Sequence, residues 1–473
     1  MYKKVDERTI ERLEAFVEGS IIRDPDMLEP YSHDEYALSD IWHTPEVVVK
    51  PSSAGQISEI LKLANKERIP VTARGAGTGL CGGCVPIYGG IVISFEKMNQ
   101  ILDIDAKNHV AVVGPGTTLM QFAPEGQRHN LFFSPRPGDE SATFGGVVST
   151  NAGGSRALAY GVTRDSTMGL DVVLASGEIM SLGGRTMKDS TGYSLLNLMI
   201  GSEGTLGILT RIMVRLDPIP RATTSLIVPY KDLHSAIGTV PAIISGATRP
   251  VALEFIEQDV VTVAEKKREV KSHFAGGEAY LLIEINASAE EELEALAAAV
   301  AEVCEGHGCG EILLADTKRR QEEIWDFRGK LYEAIKGETI EILDVAVPPA
   351  EIANHVDAIH KISKKHDVWI PNYGHAGDGN VHSHLMKVSF RDGELYPIEE
   401  KEWKAKYEEI RDEIHQDAKA RGGLVSAEHG IGLTKKKYLS WFCDPTRIAM
   451  MKQVRRLFDP NNILNPGKIF DVQ

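Results

Sequence analysis

Hydrophobic positions between residues 53 and 65 recur every three or four residues, the spacing of one face of an α-helix. The positions on this face are Ile57, Ile60, Leu61 and Ala64. Ser53 and Gln56 stand where a capping box would close the start of the helix. The pattern therefore predicts a helix from Ser53 to Asn65. After it, the apolar runs IPVTAR and GIVISF predict two short strands on either side of a glycine-rich stretch.

The stretch between these two strands contains Gly75, Gly77, Gly79, Gly82 and Gly83. A dinucleotide fingerprint of the Rossmann type needs a helix directly after such a loop, and an acidic residue about 20 positions further on. Here a strand follows, so we reject that interpretation, and the absence of a G-x-x-x-x-G-K-[ST] motif removes a P-loop as well. What remains is a loop of backbone N–H groups able to hold a diphosphate without a helix dipole.

Strand patterns continue through the first half of the chain, at AVVGPG, LDVVLASGEIMSL and LGILTRIMVRL, and this α+β region ends near Pro218. Beyond Arg221 the glycine density falls. The runs SLIVPY, VALEFIE and AYLLIEINA then alternate with helical patterns. Strands of one sheet backed by helices in this ferredoxin-like order predict a second domain.

The charge balance narrows the class of partner. The 473 residues carry 52 Lys and Arg against 67 Asp and Glu, a net charge of −15, which argues against nucleic acid or anionic lipid as the main partner. No run of eighteen apolar residues is present for a membrane span. The N-terminal residues read as an amphipathic helix rather than a signal peptide, so we expect a soluble, cytoplasmic protein.

Five cysteines are too few and too scattered for a disulfide framework, an iron–sulfur cluster or a structural zinc site. Cys81 and Cys84 form a C-x-x-C pair, but they lie in the glycine loop and not between a strand and a helix. The two cysteines are therefore interpreted as small residues that fill the loop, and not as a redox pair.

The first candidate for chemistry is a group of titratable residues near the C-terminus: His375, His382, Glu428 and His429. The glycine-rich segment between the two first histidines predicts a turn that can bring both imidazoles toward one point. Two imidazoles and a carboxylate form an open three-ligand set for zinc, iron or manganese. The alternative is a turn with ordinary hydrogen-bonded histidines. His429 could serve as a general base instead of a ligand.

The second candidate is Arg328, which lies in a helical pattern beside Trp325 and Tyr332. Its guanidinium could bind a substrate carboxylate in a bidentate manner. The more common alternative is a structural ion pair with a nearby glutamate. The charged helix from Lys401 to Lys419 is interpreted as a solvated face. These patterns indicate a diphosphate-binding domain, a sheet domain and a histidine–carboxylate cluster, but they do not select a reaction.

Several long motifs resemble those of one flavoprotein superfamily. VTARGAGTGLCGG, PGDESATFGGVVSTNAGGSRALAYG and GSEGTLGILT resemble the FAD-binding domain of the vanillyl-alcohol oxidase and p-cresol methylhydroxylase superfamily. GHAGDGNVH, SAEHGIG and FDPNNILNPGK are similar to the C-terminal half of its FAD-linked D-2-hydroxyacid dehydrogenases, which include D-lactate and D-2-hydroxyglutarate dehydrogenases and the catalytic subunit of glycolate oxidase. The resemblance extends from about Val47 to Phe470.

The resemblance implies an α+β fold, in which a two-subdomain FAD-binding domain of p-cresol methylhydroxylase type joins a ferredoxin-like antiparallel-sheet substrate (cap) domain. We expect an N-terminal helical segment in residues 1–45 and the FAD-binding domain in residues 46–220. The cap domain is expected in residues 221–424, and a C-terminal segment, residues 425–473, is expected to return to the FAD domain.

The resemblance also implies roles for individual residues. The loop expected to wrap the FAD pyrophosphate comprises Arg74, Gly75, Ala76, Gly77, Thr78 and Gly79. Residues expected to line the rest of the cofactor are Pro137, Gly138, Ser141, Gly145, Ser149, Asn151, Gly161, Gly204 and Ile208. His375, His382 and Glu428 are expected to bind a divalent metal, His429 to act as the base, and Arg328 to grip the substrate carboxylate.

Two departures from the family pattern refine these expectations. Relatives with covalent flavin carry a histidine in the pyrophosphate loop, and none lies between Arg74 and Pro86, so we expect non-covalent FAD. His384 stands where hydroxyglutarate-type relatives have Asn, which favours a small monocarboxylate such as lactate. The electron acceptor implied is a separate protein, foremost an electron-transferring flavoprotein.

Three alternatives remain open at this stage. One is a D-2-hydroxyglutarate or glycolate dehydrogenase that passes electrons to quinone or to an iron–sulfur subunit. Another is a non-catalytic flavin-bearing relay subunit, and the last is a metal hydrolase that binds a nucleotide. The intact histidine set favours the dehydrogenase over the relay, because a relay needs no site that polarises a substrate.

Overall fold

The helix predicted near residue 53 forms, and it precedes two strands of the first sheet along the chain. In the computed structural model, which describes residues 2–36, 38–246 and 249–472, this helix spans Ala54–Glu67 and buries its apolar face. Ser53 accepts a hydrogen bond from the amide of Gln56 at 3.3 Å, as expected of an N-cap. The second hydrogen bond of the predicted capping box, from the amide of Ser53 to the Gln56 side chain, is wrong. The Gln56 side chain accepts instead from the amide of Ser52 at 2.7 Å.

The glycine-rich stretch joins two strands, as predicted, and contains no helix. Strands Val71–Arg74 and Ile91–Ser94 pair in parallel, and residues 75–90 between them form turns and loop. The rejection of a Rossmann fingerprint is therefore confirmed, since the loop has no following helix to point at a diphosphate.

The chain divides into two units. The first comprises residues 1–153, 162–219 and 428–473, and the second comprises residues 154–161 and 220–427. The first unit contains a four-stranded sheet with the spatial order Ile21–Ile22, Val47–Val49, Ile91–Ser94 and Val71–Arg74. It also contains a five-stranded antiparallel sheet with the order Ile101–Asp105, Val110–Val113, Ile208–Arg215, Thr167–Val173 and Ile179–Gly183. A short pair, Leu131–Phe132 and Asp217–Pro218, completes its strands among the described residues.

Helices cover both sheets of the first unit. They span Glu7–Val17, Pro25–Leu28, Ala54–Glu67, Leu119–Arg128, Phe144–Thr150, Thr163–Ser166, Leu195–Met199, Leu439–Phe442 and Pro445–Phe458. The amphipathic N-terminal helix predicted from the sequence is confirmed and buries Ile10, Leu13 and Val17. Val173 and Ile208 from the larger sheet pack into the same core as the four-stranded sheet, so the two sheets of this unit share apolar contacts.

The second unit is built on a seven-stranded sheet in which every pairing is antiparallel. Its spatial order is Leu313–Ala315, Ala222–Tyr230, Ala279–Ala287, Ala252–Glu257, Asn372–His375, Asn380–Met386 and Thr339–Ala346. A two-stranded hairpin, Val388–Arg391 with Glu394–Pro397, follows it. Its helices span Ala157–Tyr160, Leu233–Ile244, Gln258–Arg268, Glu290–Gly306, Lys318–Gly329, Leu331–Ile335, Ile352–His366 and Glu400–Ala420. The α+β fold class is thus confirmed.

The charged helix Glu400–Ala420 has the solvated face that the sequence predicted, and its opposite face buries Trp403, Ile410 and Ile414. Arg411 on this buried face forms an ion pair with Glu341 at 2.7 Å, which satisfies its charge away from water. Among the described residues, no helix combines the length and apolar character needed to cross a bilayer.

Candidate functional site

The predicted diphosphate loop in the first unit has backbone amides that lack a protein partner. In the described part of the chain, the N–H groups of Ala76, Gly77, Thr78 and Gly79 donate to no backbone or side-chain acceptor. Ala76 and Gly79 are exposed and Gly77 and Thr78 are partly exposed, so these amides are accessible to solvent and to a ligand. The loop therefore has the character of an anion-binding nest.

Gly77 shows why this loop admits no side chain. Its φ is +81°, and a Cβ built on it would lie 2.2 Å from an Nη atom of Arg74. Arg74 itself is buried, and its Nη1 donates to the carbonyl of His33 at 2.5 Å and contacts Cys84 Sγ at 3.1 Å. The guanidinium thus holds the loop in shape.

The two loop cysteines behave as small packed residues. Both are free thiols, and burial raises the pKa of Cys84, which disfavours a reactive thiolate. Cys81 Sγ lies 3.1 Å from the carbonyl oxygen of His429 and donates to it. The preference for packing over redox chemistry is therefore supported by their surroundings.

That contact leads to the turn 428–432, which contains the predicted base. The buried carboxylate of Glu203 accepts hydrogen bonds from the amides of Ile431 at 2.8 Å and Gly432 at 2.7 Å. Gly432 has φ +50°, and a Cβ on it would lie 2.1 Å from the carbonyl oxygen of Cys81. A carboxylate on one side and the cysteine loop on the other thus fix this turn.

The side chains of Glu428 and His429 lie at this turn, 17% and 15% exposed, with His429 Nε2 4.0 Å from Glu428 Oε1. A Cβ at Gly153 would lie 2.6 Å from Glu428 Oε2, so the glycine leaves room for the carboxylate. Within the first unit, the carboxylate and the imidazole are therefore adjacent and only partly buried.

The two other predicted metal ligands lie on the sheet of the second unit. The segment 376–379 is the turn of a hairpin, and it brings His375 and His382 onto neighbouring strands, as the sequence predicted. Tyr373 is directly opposite His382, so His375 and His382 are diagonal neighbours on one face. Their ring centroids are 5.3 Å apart in an edge-to-face arrangement.

Two buried carboxylates stand behind these histidines, and sequence reasoning missed both. Glu254 is directly opposite His375 in the sheet, and its Oε1 lies 2.6 Å from His375 Nδ1. Asp344 is directly opposite His382 and lies 3.7 Å from its Nδ1. Asp344 also accepts from Asn380 Nδ2 and Ser426 Oγ, both at 2.8 Å.

A signal for both acids was present in the sequence. Glu254 lies in the apolar strand VALEFIE and Asp344 in the apolar strand EILDVAV. An acidic residue in an otherwise apolar strand is rarely buried without a partner, so each marks a buried polar site.

Arg328 forms a structural ion pair with a glutamate, Glu254, which is the alternative that the sequence analysis left open. Its Nη2 and Nε donate to Glu254 Oε2 at 2.6 and 3.1 Å, and its guanidinium lies 4.7 Å above the ring centroid of Tyr373. Burial alone would raise the pKa of Glu254, but the interactions with His375 and Arg328 outweigh it and lower that pKa. Glu254 is thus an ionised acid shared by a histidine and an arginine.

Comparison with known proteins agrees with this geometry. A family model described as "FAD linked oxidases, C-terminal domain" matches residues 219–469, and one described as "FAD binding domain" matches residues 45–183. The chain belongs to the FAD-linked oxidases. It is an FAD-dependent oxidoreductase.

Two curated relatives of this FAD-linked oxidase are D-lactate dehydrogenases. The protein from Anaerostipes hadrus is 40% identical over 99% of this chain and 98% of its own length. The protein from Archaeoglobus fulgidus is 42% identical over 89% of this chain and 91% of its own. The crystal structure of p-cresol methylhydroxylase with substrate bound superposes with a TM-score of 0.80, at 18% identity, over 100% of this chain and 99% of that one. The fold of p-cresol methylhydroxylase type is therefore confirmed.

Except for Gly161, the remaining residues expected to line FAD lie in the first unit of this FAD-linked oxidase. Gly145 and Ser149 lie in helix Phe144–Thr150, and the carbonyl of Ser149 accepts from the amide of Glu203, beside Gly204. Asn151 ends that helix with φ +55°. Pro137, Gly138 and Ser141 lie in the segment before the helix, and Ile208 begins strand Ile208–Arg215.

Some of these side chains form hydrogen bonds within the protein or pack in its core. Asn151 Oδ1 accepts from the amide of Arg164 at 2.9 Å, and Ser141 Oγ donates to Asp139 at 2.7 Å. Ile208 is buried in the core, and Gly161 lies in the second unit. The loop amides at 76–79, which donate to no protein acceptor among the described residues, are the feature that best fits a diphosphate.

Proposed function

We propose that this FAD-linked oxidase oxidises a small D-2-hydroxy acid, foremost lactate, to the 2-oxo acid and passes the electrons to a separate acceptor. The observation that carries the proposal is the pair His375 and His382, 5.3 Å apart on one sheet face with buried Glu254 and Asp344 behind them. An electron relay needs no such group. Two relatives, 40% and 42% identical to this chain, are D-lactate dehydrogenases, which supports the choice of substrate.

A divalent ion of zinc, iron or manganese, held by His375, His382 and Glu428, would acidify the substrate hydroxyl. The chemistry of the donors supports this part of the proposal. Metal-binding histidines commonly donate their second ring N–H to a carboxylate, and His375 Nδ1 has this relation to Glu254 at 2.6 Å.

Two side chains of the protein are assigned the remaining steps, proton removal and binding of the substrate carboxylate. His429 takes the hydroxyl proton as a general base, and Arg328 pairs with the substrate carboxylate through its charge. FAD, when bound, accepts the hydrogen of C2 as a hydride. The hydroxy acid thus loses one proton and one hydride and leaves as the 2-oxo acid.

Anaerobic bleaching of the bound flavin tests the proposal. We expect D-lactate to bleach it fastest in a panel of the D- and L-forms of lactate and 2-hydroxyglutarate together with glycolate, and a metal chelator to slow the reaction. Faster bleaching by 2-hydroxyglutarate or glycolate would replace lactate as the substrate. A flavin that no hydroxy acid bleaches would favour the relay alternative, and turnover unaffected by chelation would exclude a catalytic ion.

The base is tested by His429→Ala. We expect this variant to keep the spectrum of bound FAD and to lose substrate reduction, because the hydroxyl proton has no acceptor. Unchanged reduction would refute the role.

The acceptor we propose is an electron-transferring flavoprotein. After anaerobic reduction by substrate, the flavin should be reoxidised rapidly by such a protein. Reoxidation by quinone or O2 alone would rule this partner out.

A further inference from the structure

We propose that Glu254 is a positioning residue that fixes His375 and Arg328 together, so that the proposed metal ligand and the proposed carboxylate-binding arginine act as one unit. The inference rests on the proposed function, because it concerns how the same site binds its metal and substrate.

Glu254 is completely buried on strand Ala252–Glu257, and its two oxygens are divided between two partners. Oε1 lies 2.6 Å from His375 Nδ1, and Oε2 lies 2.6 Å from Arg328 Nη2 and 3.1 Å from Nε. Charge-assisted hydrogen bonds of this length are strong and directional. One rigid carboxylate therefore sets the orientation of both groups.

For His375, the contact selects a tautomer. A carboxylate can only accept, so the proton resides on Nδ1, and the lone pair that can bind a cation resides on Nε2. The strand register supports this geometry, because Glu254 and His375 are paired directly opposite each other. The imidazole therefore cannot turn over without losing its hydrogen bond.

For Arg328, the contact selects an edge of the guanidinium. Nε and one hydrogen of Nη2 point at Glu254, so the edge that carries Nη1 is the one available to a second carboxylate. The ring of Tyr373 beneath the guanidinium limits its rotation further. The ion pair with Glu254 and the binding of a substrate carboxylate are therefore compatible.

The same sheet face offers a matched control. Glu284 lies on the neighbouring strand, is opposite Ala252, and forms an ion pair with Arg156 at 3.1 Å. Like Glu254 it is buried, with a side chain 5% exposed. Glu284→Gln therefore removes a buried carboxylate from a Glu–Arg pair without touching either His375 or Arg328.

The test uses the flavin-loaded protein and compares Glu254→Gln, Glu254→Asp and Glu284→Gln with the wild type. Affinity for Zn²⁺ and Mn²⁺ alone is measured by chelator competition, without substrate. Loss of a carboxylate behind a metal-binding histidine typically costs about 10–100-fold in affinity, and we expect this in Glu254→Gln but less than about threefold in Glu284→Gln. Flavin content and melting temperature are recorded for each variant.

A kinetic comparison isolates the arginine. At saturating metal, we expect Glu254→Gln to raise the KM for D-lactate about 10-fold or more, and expect it to change the KM little further in an Arg328→Met background. A residue that only stabilises the fold would give additive effects. Glu254→Asp keeps the charge, so partial recovery of metal affinity is expected if Glu254→Gln proves too unstable to assay.

The outcomes separate the two proposals. If the wild type binds neither metal and no hydroxy acid bleaches its flavin, the proposed function fails. If the wild type does both and Glu254→Gln matches it in metal affinity and KM, only the role of Glu254 is overturned. Additive KM effects with Arg328→Met would also overturn it.

Discussion

The buried carboxylate of Glu203 provides the sharpest test of how the turn 428–432 is held. It accepts hydrogen bonds from the amides of Ile431 and Gly432, at 2.8 and 2.7 Å, and lies in the first unit together with the turn. We expect Glu203→Gln to loosen the turn and to lower kcat, because His429 is part of it. An amide has only one oxygen, so one of the two N–H donors would face an NH2 group.

The magnitude follows from those two bonds. A hydrogen bond to a charged acceptor contributes about 1.5–3 kcal/mol net, and a buried N–H left without an acceptor costs about 1–3 kcal/mol. Burial raises the pKa of Glu203, so the neutral amide regains part of this loss by removing a buried charge. We expect a net loss of about 2–3 kcal/mol, or roughly 30–160-fold in the equilibrium between the ordered and the opened turn.

Hydrogen exchange of the peptide that spans residues 428–434 measures that equilibrium directly. Exchange should accelerate within this peptide while flavin content stays close to the wild-type value. Glu178→Gln is a suitable control, because the Glu178 carboxylate belongs to an exposed residue and accepts from Ser176 Oγ at 2.8 Å, so its loss should change little. Unchanged exchange and unchanged kcat in Glu203→Gln would refute the reasoning.

Two further predictions concern the loop and its support. Gly77→Ala should lose most of its bound FAD, because its Cβ would lie 2.2 Å from the Arg74 guanidinium at a φ of +81°; normal flavin content in the purified variant would contradict this. Burial raises the pKa of Asp34 to about 6, so its stabilising contribution is greatest at low pH and is lost as the pH rises through about 6. The unfolding free energy of the wild type minus that of Asp34→Asn should therefore fall by up to about 3 kcal/mol between pH 4 and pH 7. Denaturant titrations in which this difference does not change with pH would contradict the prediction.

The sequence predicted those parts of the site that depend on local pattern. The glycine-rich turn predicted between His375 and His382 forms and brings their ring centroids to 5.3 Å from each other. Contacts distant in sequence were not predictable in this way. Glu203 reaches Ile431 across 228 residues, and nothing in either local motif identifies the other as its partner.

The same distinction explains Arg328 and the capping box. The helical pattern located Arg328 correctly, but the partner that decides its orientation, Glu254, lies 74 residues earlier on a strand. At Ser53 the local signal sufficed for one hydrogen bond, while the side chain of Gln56 found a nearer donor at Ser52. Sequence patterns thus locate elements better than they assign the partners of polar side chains.

The C-terminal motif FDPNNILNPGK gains a physical explanation from the loop it supports. Asn465 Nδ2 donates to the carbonyls of Gly83 and Glu203, both at 2.8 Å, and Lys468 Nζ donates to the carbonyl of Val85 at 2.5 Å. Burial lowers the pKa of Lys468 to about 8, while nearby Cys84, Glu203 and Asp34 oppose this shift. One short segment therefore holds both the cysteine end of the diphosphate loop and the turn that carries Glu203. Because Glu203 in turn holds the turn of His429, the loop expected to bind FAD and the proposed base depend on the same few buried polar contacts.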